Sequence, residues 1–237
     1  MKNHTTDKAQ FVYKLFSTIA DHYDFMNSLL TLNQDHYWRK FAINKADLVS
    51  ENKVLDVCCG TGKLTIGLAE KVGSNGTVIG LDFCEPMLAK AAVRISRSPV
   101  KERITLVQGN ALELPYPDNE FDCVITGFGL RNLPEIEQPI SEMRRVVRPG
   151  GKIISLELGK PTIPVLKQLY NFYFEQIPPL LGKFKVGKGG LYSWLPQSLK
   201  DYPNQAKVAQ IFKNEGLRDV HYYNLTGGIA VVHVGVK

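Results

Sequence analysis

The sequence predicts an α/β protein built on a doubly wound, mostly parallel sheet. Strand-like and helix-like runs alternate from residue 54 to residue 158, and a glycine-rich turn follows the first of them. Towards the C-terminus two strand-like runs are joined only by Thr226-Gly227-Gly228. A hairpin there makes the last strand antiparallel to the rest.

Residues 8–50 read as helical, because Phe11, Leu15, Phe16 and Ile19 recur at helical spacing, as do Phe25, Leu29 and Leu30. Val54, Leu55 and Val57 make a short strand, and 63–72 a helix. The run 77–82 is a strand ending on Asp82, and Pro86 is placed to open a helix reaching about residue 97. Strands follow at 104–107 and 121–126, then a helix over 135–147. Pro149-Gly150-Gly151 is expected to stop that helix before a strand at 152–158. The terminal strands are 220–225 and 229–236. The stretch 160–202 fits none of this alternation and reads as an insertion over the end of the sheet. The whole is expected to be one domain: a helical preface (1–50), a cofactor-binding core (51–159), a cap insertion (160–202), and a terminal helix and hairpin (203–237).

Composition narrows the function classes. The chain has 237 residues, 44% hydrophobic and 22% charged, which excludes disorder and collagen-like sequence. Lysines and arginines exceed acids by 29 to 23, an excess too small to argue for nucleic acid. Cys58, Cys59, Cys84 and Cys123 have no C-x-x-C spacing, so zinc and disulfides are not expected. Neither a signal-like N-terminus nor a membrane-spanning run is visible, so a cytoplasmic protein is expected. From Gln176 to Lys200 there is no acid, while Lys183, Lys185, Lys188 and Lys200 occur with the aromatics Phe184, Tyr192 and Trp194.

The turn after the first strand is Asp56-Val57-Cys58-Cys59-Gly60-Thr61-Gly62. Gly60 and Gly62 let the backbone bend sharply and approach a ligand. About twenty residues further on, Asp82 ends the second strand, where a carboxylate can take both hydroxyls of a ribose. That pattern suits a dinucleotide as well as S-adenosylmethionine. The dinucleotide fingerprint, however, has a third glycine where this chain has Thr65. Asp56 lies outside that fingerprint and suits the amino-acid end of S-adenosylmethionine. Asn110, after the third strand, is placed to read an adenine. A methyltransferase is the favoured reading, with a nucleotide-dependent oxidoreductase and a purely structural turn as rivals.

Longer segments carry a family resemblance. They are Tyr23-Asp24-Phe25-Met26-Asn27, His36-Tyr37-Trp38-Arg39, Gly127-Phe128-Gly129-Leu130-Arg131-Asn132 and Arg145-Val146-Val147-Arg148-Pro149-Gly150-Gly151. Later come Leu156-Glu157, Lys160-Pro161, Tyr192-Ser193-Trp194-Leu195-Pro196-Gln197-Ser198 and Leu225-Thr226-Gly227-Gly228. Over nearly its whole length the chain resembles the UbiE-type C-methyltransferases of ubiquinone and menaquinone biosynthesis. The resemblance implies the class I methyltransferase fold, a Rossmann-like seven-stranded sheet, with S-adenosylmethionine as cofactor. It implies methylation of demethylmenaquinol at a ring carbon. Cofactor contacts then fall on Thr61, Asp82, Asn110 and Ala111, beside Asp56, Gly60 and Gly62. Gly127 stands where the family has a contacting serine, and Lys63 where many members have an aspartate.

For the chemistry, Arg131 is expected to stabilise a ring phenolate and Asn132 to orient the ring hydroxyl. A water or His36 is the expected proton acceptor. Each has a bland rival: Arg131 as a loop clamp, His36 as a packing histidine. The implied partners are an isoprenoid quinol and, through the basic aromatic stretch around residues 184–194, a peripheral contact at the inner face of the cell membrane. A homodimer is allowed, and no nucleic-acid partner is expected. Competing readings are a methyltransferase of RNA or another small molecule, and a non-catalytic cofactor-binding subunit.

Overall fold

The computed structural model describes residues 2–161, 164, 168, 170, 172, 173 and 194–237. Three helices, α1 (Lys2–Ile19), α2 (Tyr23–Leu30) and α3 (Gln34–Lys45), precede the sheet. The core then alternates as predicted: β1 (Lys53–Val57), α4 (Lys63–Lys71), β2 (Thr77–Asp82), α5 (Glu85–Ser96), β3 (Ile104–Gln108), β4 (Phe121–Gly127), α6 (Glu137–Val146) and β5 (Val147–Leu158). Helices α7 (Trp194–Asp201) and α8 (Gln205–Asn214) lead to β6 (Arg218–Leu225) and β7 (Ala230–Val236).

Among the described residues the strands form one seven-stranded sheet in the order β3-β2-β1-β4-β5-β7-β6. The first five are mutually parallel. Strand β7 runs antiparallel between β5 and β6. It is thus the one strand against the grain, and β6 returns to the common direction.

Alternating side chains bury both faces of the sheet. Val54, Cys123 and Ile125 join α3 and α4 through Trp38, Ala42, Leu64 and Leu68. Leu55, Val57 and Val124 join α6 and α8 through Ile140, Met143, Val208 and Phe212. Burial on both faces explains why these strands read as continuous apolar runs.

Local signals account for several boundaries. Pro86 lies in the first turn of α5, as expected. The Asn204 side chain caps α8 by accepting from the Lys207 N–H at 2.9 Å. One boundary differs from expectation: β5 begins at Val147 and runs through Pro149-Gly150-Gly151. The register jumps between Phe121 and Cys123, so the tripeptide is absorbed as a bulge.

Two of the family-like segments meet across the fold. The Trp38 indole N–H donates to Thr226 Oγ1 at 2.8 Å, tying α3 to the turn between β6 and β7. No helix among the described residues is long and apolar enough to cross a membrane. The basic stretch with Lys183, Phe184, Lys185 and Lys188 lies outside the described residues.

Candidate active site

The order β2-β1-β4 places the topological switch between β1 and β4, the position at which open α/β sheets bind ligands. A cavity of about 410 Å³ opens there, within the roughly 300–1,000 Å³ of small-molecule sites. Its wall comes from the loops after all four neighbouring strands: Cys58 and Gly60 after β1, Phe83 after β2, Gly109 to Leu112 after β3, and Phe128, Gly129 and Asn132 after β4. Helix α1 closes the other side with Ala9, Val12 and Phe16, joined by Tyr23 of α2.

The glycine turn is shaped by its neighbours. Gly60 and Gly62 have φ of 56° and 75°, a region that disfavours side chains. A Cβ on Gly62 would come within 3.3 Å of Ala91 Cβ, so α5 packs directly against the turn. Asp82 organises this edge. Its Oδ2 accepts the Gly60 N–H at 2.8 Å and its Oδ1 the Cys84 N–H at 2.9 Å. Burial raises its pKa, while those N–H groups and that of Phe83 pull it back. Each carboxylate oxygen keeps accepting capacity for a ligand hydroxyl.

Asp56 is fully buried at the adjoining end of β1. Its Oδ2 accepts from Thr65 Oγ1 at 2.6 Å, whereas Oδ1 has no hydrogen-bond partner. Burial drives its pKa up to about 7, against the Thr65 bond and the charge of Arg39. Asn110 Oδ1 accepts the Leu112 N–H at 3.0 Å, which shapes the loop after β3, and buried Ala111 sits within it.

Predicted site residues thus divide. Gly60, Asp82, Asn110, Ala111, Gly127 and Asn132 are brought together on the cavity wall. Thr61, Gly62 and Asp56 stand behind it. The Thr61 hydroxyl donates to Asp24 Oδ1 at 2.8 Å, and Arg94 also binds Asp24, so α2 is pinned to the turn. His36 is exposed on α3 and does not line the cavity.

Arg131 does not line it either. Its guanidinium is buried, ion-paired with Glu157, and donates to the Phe128 carbonyl at 2.9 Å. Burial alone would lower its pKa, but the Glu157 and Tyr23 groups raise it, so it stays cationic. That arrangement suits a loop clamp. Arg131 instead borders a small space with Asn27, Thr31 and Asp35.

Both departures from the family pattern have local partners. A Cβ on Gly127 would lie 3.0 Å from Leu64 Cδ2, so a serine there would crowd Leu64. Lys63 Nζ lies 3.5 Å from Asp24 and 3.7 Å from Asp35, acids of the preface helices. Burial and the Asp82, Asp56 and Glu157 charges push the Cys58 thiol well up, which leaves it protonated and unsuited to nucleophilic work.

Sequence reasoning missed the α1 wall and Phe83, Met87 and Leu112. The helical spacing of Val12 and Phe16 was visible, but nothing in it says that this face covers a ligand rather than a core. Met87 follows Pro86 by one residue, so its approach to Gly60 depends on how α5 docks.

The donor set suits S-adenosylmethionine. A carboxylate at the β2 end, a glycine turn at φ values that disfavour side chains and a largely apolar remainder fit a ribose, a methionine portion and an adenine, with the unpartnered Asp56 Oδ1 buried just behind the wall.

Comparison with known proteins agrees. The ubiE/COQ5 methyltransferase family matches residues 3–237. A demethylmenaquinone methyltransferase of Shouchella clausii (strain KSM-K16) is 47% identical, over 97% of each chain. Another, of Desulfitobacterium hafniense (strain Y51), is 43% identical over 98% of this chain and 91% of its own. Among solved structures, a SAM dependent methyltransferase from Aquifex aeolicus superposes with a TM-score of 0.62 at 19% identity, covering 83% of this chain and 88% of that one. At that identity it speaks for the fold. The match along almost the whole chain, with Gly60, Asp82 and Asn132 gathered at one strand-end cavity, places this protein in the ubiE/COQ5 methyltransferase family.

Proposed function

We propose that the chain methylates a ring carbon of demethylmenaquinol, with S-adenosylmethionine as methyl donor, in menaquinone biosynthesis. One observation carries the reading: a single cavity has the Asp82–Gly60 edge on one side and an apolar wall with Asn132 on the other. Cofactor and an aromatic acceptor would thus share one enclosure. The names of the full-length relatives support the same substrate.

When bound, S-adenosylmethionine supplies an electrophilic methyl group on a sulfonium. The protein holds the parts. Asp82 would take the ribose hydroxyls, the Asn110 loop would face the adenine, and Val12, Phe16 and Phe128 would exclude water around the ring. A phenol ionises near pH 10 in water, so the site must favour the phenolate that makes the carbon nucleophilic. Asn132 offers an amide there. Tyr23, whose own pKa burial raises, stays protonated and is a second donor. The carbon would gain the methyl as S-adenosylhomocysteine leaves, and rearomatisation would return the carbon's proton to the ring oxygen by way of water, the proton lost at ionisation also going to water. Holding carbon and methyl in line is the largest contribution asked of the enzyme.

The test is direct. Purified protein, labelled S-adenosylmethionine and a short-chain demethylmenaquinol should give the methylated quinol by mass spectrometry, with RNA left unlabelled. Labelled RNA, or cofactor binding without any methylated quinol, would overturn the reading.

An isoprenoid quinol resides in a bilayer, and α2 has a surface suited to meeting one. Phe25 (52% exposed) and Leu29 (40%) share a helix face, and Leu32 (77%) follows in the next turn. Leu32 has φ 50°, an uncommon value for leucine. Burying two leucines is worth about 1.5–3 kcal/mol each, so Leu29→Gln with Leu32→Gln should cut binding to anionic vesicles at least about tenfold. Unchanged sedimentation would remove this face from the proposal.

A further inference from the structure

A side chain of the cap, among the described residues, reaches the active site. Trp194, the first residue of α7, donates its indole N–H to Asn132 Oδ1 at 3.0 Å. The ring is held by α1. Its centroid lies 5.0 Å from that of Phe11 at an interplanar angle of 56°, and Lys8 Nζ sits 5.9 Å from it. Lys8 also donates to the Leu133 carbonyl, beside Asn132.

Asn132 is buried, lines the cavity, and donates from Nδ2 to the Phe128 carbonyl at 3.2 Å. The two partners of its side chain among the described residues are both one-way. An indole nitrogen only donates and a carbonyl only accepts. Both agree with one orientation of the amide. Turned over, the amide would set NH₂ against the indole N–H and its oxygen against the Phe128 oxygen, losing both bonds. The orientation left by these partners keeps one N–H of Nδ2 uncommitted among the described residues.

Resting on the quinol-methylation reading, we infer that Trp194 is a positioning residue for the reaction. Its indole N–H locks the Asn132 amide so that an N–H, rather than the carbonyl oxygen, is offered to the acceptor's ring oxygen. A phenolate accepts hydrogen bonds and cannot donate, so a donor favours it. A carbonyl oxygen would instead hold the hydroxyl proton in place. Without the indole, Asn132 keeps only the longer bond to Phe128 and can present either end. The cap thereby completes the catalytic amide when α7 is docked.

Trp194→Phe keeps the ring and removes the donor. With a short-chain demethylmenaquinol, kcat should fall about tenfold while KM and the cofactor Kd stay within about twofold. The acidic limb of the kcat–pH profile should move up by about one unit. Asn132→Ala and Asn132→Ala with Trp194→Phe should be equally slow. Additive losses, or a raised KM with kcat intact, would overturn the role. Benzothienylalanine at 194, which exchanges N–H for sulfur at the same ring size, repeats the test should phenylalanine fail to fold.

A second readout needs no turnover. With S-adenosylhomocysteine present, bound 2-prenyl-1-naphthol should ionise at lower pH in the native protein than in Trp194→Phe, followed by absorbance. Coincident ionisation curves would overturn the inference even for a protein that methylates the quinol. Separated curves from a protein that does not would uphold it and retire the substrate reading alone.

Discussion

Asp82→Asn should weaken S-adenosylmethionine binding by about a hundredfold, read by calorimetry. Asparagine matches aspartate in size, so the expected loss comes from hydrogen-bond polarity. Two backbone N–H groups, of Gly60 and Cys84, point at different oxygens of the Asp82 carboxylate. Asparagine has one acceptor oxygen, so one of these donors must face an NH₂ group. Leaving a buried donor unpaired costs about 1–3 kcal/mol. The same change removes an acceptor for the ribose and lets the glycine turn relax from the shape it presents to the ligand. Melting of the free protein separates the two parts: the turn contributes to stability, the ribose only to binding. A Kd within about threefold of the native value would show that Asp82 does not hold the cofactor.

The second large effect is on stability. Glu157→Ala should destabilise the protein by about 3–5 kcal/mol, because it strands a cation in the interior. The Arg131 and Glu157 side chains are only 8% and 1% exposed. Glu157 also accepts the Leu158 N–H at 2.9 Å and the Arg131 N–H at 3.3 Å. Without it the guanidinium retains the Phe128 carbonyl alone among these bonds. For a chain of this size the melting temperature should drop by about 10 °C. Replacing both partners, Arg131→Met with Glu157→Leu, should restore most of the loss, since a buried pair gains little over apolar residues of similar volume. That double variant also decides between clamp and catalyst. Restored stability with turnover near native assigns Arg131 to the loop; restored stability without turnover returns it to the chemistry.

The core strands, the turn at Gly60 and the acid at Asp82 were legible because their signals are local. Apolar runs, glycines and a terminal carboxylate lie within a few residues of one another, and the parallel sheet brings their ends together automatically. The family-like segments revealed more, since they identify positions whose partners lie far off. What stayed hidden depends on pairs distant in sequence. Arg131 follows β4 and is aimed near the cleft by topology, yet Glu157, at the end of the neighbouring β5, claims its charge. His36 shares a helix with buried Trp38, but its own position on α3 faces solvent. The Pro149-Gly150-Gly151 turn looked like a stop before a strand, and the sheet instead absorbs it as a bulge. Trp194 could be named as an aromatic of the cap, but its bond to Asn132 is visible only once α7 is docked.

The order β5-β7-β6 has a consequence for how the molecule is made. On a ribosome β6 emerges before the strand that must lie between it and the sheet. Until β7 appears, β5 has an open edge and β6 has no partner in the sheet. Strands β1 to β5 can assemble with their helices during synthesis, but the last third of the sheet closes only when β7 inserts. The nascent chain therefore carries an exposed strand edge until β7 is available to insert, and that interval is where chaperone binding or aggregation would compete with completion of the fold.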